Sequence, residues 1–194
     1  MCNAFIICSK LTNRSNFVIV HLSPKNSVGM KKIFFLIVIL LSIKSYSYVP
    51  SQSQVRVLFQ QSAVKEDSCK KLIKILESYN EKNNALYAGY KACATMMMAN
   101  YVFNPFRKMS YFSKGKNLLE RSIEADKENV ELRFLRFSIQ NNIPSFLFYK
   151  GSINSDKTFL MKRIYALKDV QLKQMIVAFL KDSDSLTAQE KQKL

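Results

Sequence analysis

Histidine is almost missing from this chain. The one residue, His21, stands in an N-terminal stretch that reads as a leader, so nothing beyond that stretch carries an imidazole. A Ser-His-Asp or Cys-His triad is excluded there, and so is a zinc site built on histidine. Cysteine is scarce as well: beyond the leader only Cys69 and Cys93 remain, too few for a closed structural zinc site. Glycine and proline number four each, and past the leader they shrink to Gly89, Gly115, Gly151, Pro50, Pro105 and Pro144. An all-β fold dense in turns does not fit so few breakers. No Pro/Gly-rich linker divides the chain. Ser113-Lys114-Gly115-Lys116 lacks the first glycine of a phosphate loop, whose place is taken by Ser110.

What is present begins with a secretory signature. Lys31-Lys32 precede the apolar run Ile33–Ile43, and Ser45-Tyr46-Ser47 supplies small residues for cleavage, so residues 30–47 read as a signal peptide. The run is shorter than the roughly 20 residues that span a bilayer. Met30 is a natural initiator, and residues 1–29 are read as an over-extended start. The alternative is an uncleaved segment that anchors the protein in the inner membrane. No cysteine follows the run at a lipid-attachment position. The expectation is an exported protein, periplasmic or secreted, with residues 48–194 as a single domain. Six of the 30 basic residues fall in the leader with no acid beside them, leaving 24 basic against 14 acidic, a net charge of +10. The charges beyond the leader read as dispersed, with acids interleaved, which points to solvated surface more than to a dedicated anion site.

Periodicity then predicts helices throughout. Ser51–Ala63 turns Val55, Leu58 and Phe59 inward. A second helix opens at Asp67 or Ser68 with Cys69, Leu72, Leu76 and Tyr79 on one face. A third covers Ala85–Tyr101 with Leu86, Gly89, Tyr90, Cys93 and Met97 inward. The run Met96-Met97-Met98 reads as core filling, because three consecutive residues do not share a helix face. Asn104-Pro105 is a helix start, after which Phe106, Met109, Phe112, Leu119 and Ile123 mark one face. Gly115 lies on that face and suggests a close helix neighbour. A turn at 125–129 leads to Val130–Asn141, where apolar and polar residues alternate as in a strand. Its helix formers and helical neighbours favour helix. Further helices open at Asn154 and Asp169, and Thr187-Ala-Gln-Glu190 is a capping box for a short terminal one. The fold class is therefore all-α, about seven helices in antiparallel pairs.

The segment LLERSIEADKENVELRFLRFSIQ resembles the junction between two tetratricopeptide repeats: Asp126 and Asn129 fit that pattern, and Lys127 stands where the family has proline. More broadly, residues 95–147 resemble small uncharacterised secreted helical proteins of Bacteroidota. That likeness implies a short, degenerate helical stack and no established activity. Glu77-Ser78 resembles the catalytic pair of helical lytic transglycosylases, but the glycine-rich companion motifs of that family are missing.

Cys69 and Cys93 fall on inward faces at similar heights of an antiparallel helix pair. Either a disulfide, permitted by export, or two buried thiols fits that placement. The loop Asn142–Gly151 is unusually apolar. Phe146, Phe148 and Tyr149 in it either plug the end of the stack or form an exposed patch that meets a partner. The expected function is a non-enzymatic, exported scaffold of the cell envelope that binds a protein or peptide, with no catalytic residues, cofactor or metal. Alternatives are a basic surface protein that binds anionic polymer, membrane or nucleic acid, and, more remotely, a hydrolase using carboxylates alone. Nucleic acid is disfavoured as a partner, and a membrane is expected only if the leader is retained.

Overall fold

The computed structural model describes Val49–Leu194, a compact unit, and the expected leader and over-extended start lie outside these residues. The described residues are helical with no strand. The α-helices are α1 (Gln52–Ser62), α2 (Glu66–Ile75), α3 (Ala85–Met97), α4 (Pro105–Ala125), α5 (Val130–Asn142), α6 (Ile153–Arg163), α7 (Val170–Asp182) and α8 (Ala188–Gln192). Short 3-10 turns follow α3 at Met98–Tyr101 and α6 at Ile164–Ala166, and one more spans Ser145–Leu147.

Caps fix most of the boundaries. Asn104 accepts hydrogen bonds from the Phe106 and Arg107 amides, with Pro105 at the first helical position of α4. Asn84, Asn129 and Asp169 cap α3, α5 and α7 in the same way. Ser51 with Gln54 and Thr187 with Glu190 form reciprocal capping boxes. α2 starts a residue or two earlier than its sequence suggests, after Lys65, which makes no side-chain cap. Acidic Glu66 and Asp67 occupy its first turn, where the helix dipole favours them.

Two cores share one helix. The first gathers Val55 and Phe59 of α1, Cys69 and Leu72 of α2, most of α3, Phe112, Leu119 and Ile123 of α4, and Leu132, Leu135 and Ile139 of α5. The second is built on Phe134 and Phe137, on other faces of α5, with Leu160 of α6 and Leu172, Ile176 and Leu180 of α7. α5 therefore has two apolar faces, and this is why its sequence alternates like a strand. Phe179 of α7 meets Phe134 and Phe137 edge-on, at ring separations of 5.6 and 6.0 Å.

The closest helix approach is α3 on α4, as the glycine in α4 suggested. A Cβ on Gly115 would stand 2.5 Å from the Ala92 carbonyl oxygen and 2.9 Å from the Met96 amide nitrogen. No side chain fits between the two backbones at that level. Met96 and Met98 are buried and Met97 is half-buried, filling the core beside this contact.

α4 is longer than its partner in the hairpin, 21 residues against 13. At about 1.5 Å per residue its N-terminal turns run roughly 12 Å beyond the end of α5. The expected single apolar face of α4 is therefore split. Phe112, Gly115, Leu119 and Ile123 are buried, whereas Phe106 and Met109, on the overhang, are exposed. The inward placement expected for Phe106 and Met109 is corrected by this difference in length.

Candidate functional site

Two kinds of polar chemistry occupy this fold, and they sit in different places. The first is buried and closed on itself. Glu131, at the start of α5, receives the Arg56 guanidinium through Nε at 2.7 Å and Nη2 at 2.8 Å. Tyr90 donates its hydroxyl to the same carboxylate, and Gln52 adds a bond at 3.2 Å. Arg56 also reaches Asp169 at 2.8 Å and Gln171 at 3.1 Å, tying α1 to α7. The bond to Glu131 raises the affinity of Arg56 for its proton against the cost of burial.

Further along α5 a second cluster repeats the pattern. Asp156 of α6 is fully buried and takes both Arg136 Nε at 2.7 Å and Nη2 at 2.9 Å, with Arg133 as an additional donor. The remaining Arg136 nitrogen, Nη1, binds Glu120 of α4 at 2.8 Å. Tyr149 donates its hydroxyl to the other Glu120 oxygen. Burial, and then the bond to Glu120, push the Tyr149 phenol well above its ordinary range. Almost every buried polar side-chain atom among the described residues has a partner; Gln140 Oε1 is the exception. These networks join α1, α3, α4, α5, α6 and α7 through paired charges and hydrogen bonds.

The cysteines lie in the first core. Cys69 donates its thiol to the Ala94 carbonyl at 3.1 Å, so it stands level with the residue next to Cys93. Both are free and buried in this structure. Burial lifts the Cys69 thiol to about 11 and raises Cys93 as well, so neither is a ready nucleophile. Glu77 falls in the turn after α2, where its carbonyl accepts from Lys91. A polar cleft of about 150 Å³ opens between the ends of α5 and α7, lined by Asn141, Asn142, Asp182 and Asp184. Among the described residues no three His, Cys, Asp or Glu side chains cluster so as to hold a metal ion.

The second kind of chemistry is open to solvent. The loop after α5 divides its aromatic residues. Tyr149 turns in, meeting Phe112 edge-on at 6.0 Å and lying beneath the Lys116 ammonium at 5.3 Å. Phe146 and Phe148 turn out, 70% and 92% exposed. One aromatic side chain of the loop is thus buried and two are exposed. Phe148 is the sole non-glycine residue at positive φ among the described residues, at φ 48° and ψ 40°. That left-handed conformation costs a bulky side chain about 1–2 kcal/mol.

Tyr149 ties the loop to the middle of α4 through Phe112 and Glu120. At the N-terminal end of α4 and just before it, Phe103, Phe106 and Met109 are 101%, 84% and 52% exposed. These five side chains, from one helix end and one loop, leave a large apolar area uncovered. The adjoining stretches of chain carry charge of one sign. No Asp or Glu occurs between Lys82 and Leu119, nor between Leu132 and Ser155, while Arg107, Lys108, Lys114 and Lys150 do. The even dispersal of charge expected from composition fails here. Counting acids by position, not overall, would have found this stretch. Phe103, Phe106 and Met109 were missed because helical spacing alone does not say where a partner helix stops.

Comparison with known proteins adds no relative: no family model, no curated protein and no solved structure matches this chain.

Proposed function

We propose that the protein is a non-enzymatic, exported scaffold of the cell envelope that works by docking another macromolecule through the aromatic end of α4 and the loop after α5. The observation that carries this reading is the set of exposed apolar side chains, Phe146 and Phe148 foremost, standing in stretches of chain that hold basic residues and no acid. Ten large apolar side chains are exposed among the described residues, and the four phenylalanines among them are Phe103 and Phe106 at the start of α4 and Phe146 and Phe148 in the loop. Export rests on the sequence of residues 30–47, and the absence of catalytic machinery rests on the missing histidine and the closed ion networks. The likeness to tetratricopeptide-type helical pairs supports a scaffold in the same direction.

The test is fractionation. The protein, recovered from its host with its N-terminus sequenced, is expected to begin near Tyr48 and to remain with washed cell envelopes. The double variant Phe146→Ser, Phe148→Ser is expected to keep its fold, by circular dichroism and melting, and to move into the soluble fraction. Unchanged retention of that variant would overturn the reading. A second reading, attraction of the whole basic surface to an anionic polymer, is favoured by the net charge of +10 beyond the leader. It predicts retention that collapses with salt and ignores the phenylalanines.

A further inference from the structure

We infer that the occupant of this end is the surface of an anionic phospholipid bilayer, with Phe106, Met109, Phe146 and Phe148 entering the boundary between headgroups and acyl chains while Arg107 and Lys108 pair with lipid phosphates. The inference rests on the reading of this end as a docking face and goes further by naming what covers it.

Four observations carry it. The exposed apolar side chains stand out from a helix end and a loop tip instead of lining a groove. Such knobs need a medium that closes around them, and a bilayer does so without a matching pocket. The charges between and beside them are basic, with acids excluded from both stretches of chain. Glu66 is paired with Lys70 at 2.8 Å, and Glu120 with Arg136 and Tyr149. An anionic surface is attracted at roughly 1 kcal/mol per basic residue near the lipid. The loop is also set in advance. Tyr149 is clamped between Phe112 and Glu120, so Phe146 and Phe148 are held outward without having to be ordered on contact. Lastly, among the described residues no helix is long and apolar enough to cross a membrane, so the contact is one of lying on the surface.

The experiment uses the processed protein isolated from its host and vesicles of equimolar phosphatidylcholine and phosphatidylglycerol, with pure phosphatidylcholine as the comparison. The protein is expected to float with the anionic vesicles and to stay behind with the neutral ones. Arg107→Gln with Lys108→Gln is expected to weaken vesicle binding roughly thirtyfold. The chain has no tryptophan, so Phe148→Trp installs a single reporter. Its emission is expected to shift to the blue on anionic vesicles and to be quenched by brominated acyl chains. Failure to float with anionic vesicles, or a reporter that lipid bromine leaves unquenched, overturns the inference. If envelope retention then persists and is abolished by protease treatment of the envelopes, the occupant is a protein and the docking reading survives. If retention is absent too, both fall.

Discussion

α4 is one helix with two fates. From Phe112 onward it places Phe112, Leu119 and Ile123 in the core and gives Glu120 to Arg136 and Tyr149. Its N-terminal half carries the same residue types, Phe106 and Met109 with Arg107 and Lys108, and leaves them all in water. The residues do not differ in kind, only in what lies opposite them. Where α3 and α5 run alongside, aromatics pack and arginines find carboxylates. Beyond the end of α5, the same chemistry is left exposed. The lesson is that helix length, through the overhang, decides whether a phenylalanine stabilises the fold or serves contact with something else.

That contrast can be broken most severely at its buried side. Asp156→Ala removes the fully buried carboxylate and leaves Arg136 with Glu120 alone, so a loss of about 3–5 kcal/mol is expected in urea unfolding. A loss below about 1 kcal/mol would mean that the arginines find water and that the network is not closed. Gly115→Ala is expected to cost less, about 1–2 kcal/mol. The new methyl meets the Ala92 carbonyl and the Met96 amide, which are backbone and yield little. The gain in helix propensity, about 1 kcal/mol, offsets part of the strain. A stabilised Gly115→Ala protein would show that α3 and α4 can move apart.

The fold was legible because its signals are local. Asn104-Pro105, Asp169 and the Thr187–Glu190 box are caps, and each marks its helix boundary in the chain itself. Gly115 also announced a close neighbour, since a glycine inside a helix needs a reason. α5 was harder, because burial on several faces erases the single-stripe pattern and mimics alternation. The ion networks were not legible: Arg56 and Glu131 lie 75 residues apart, and nothing near either names the other. The same holds for the proposed docking face. Phe146 and Phe148 were visible as an apolar loop, but their outward turn and the inward turn of Tyr149 depend on Phe112 and Glu120, on another helix. Phe106 and Met109 looked like core, since the end of α5 is set by its own cap and loop and leaves no mark in α4.

Phe148→Gly sharpens the contrast from the exposed side. Glycine accepts the left-handed conformation freely, so the strain now carried at φ 48° is released. Part of the gain is lost to the freer unfolded chain. The expected net effect is a rise in stability of up to about 1 kcal/mol, read as a higher melting temperature, with envelope retention lowered. A residue whose removal strengthens the fold and weakens docking is one the fold does not need.

The smallest expected effect on stability comes from Phe106→Ser, and it is the most discriminating. Phe106 is a near-fully exposed side chain on the overhang, so the change should alter unfolding free energy by no more than about 0.5 kcal/mol. Phe112, six residues later in the same helix, is the control. It is buried against Tyr149, and Phe112→Ala is expected to cost about 3 kcal/mol. Retention on washed envelopes should fall for Phe106→Ser at unchanged melting temperature. If instead Phe106→Ser destabilises the protein as Phe112→Ala does, the overhang is packed in solution, the two halves of α4 are alike, and the docking face disappears with their difference.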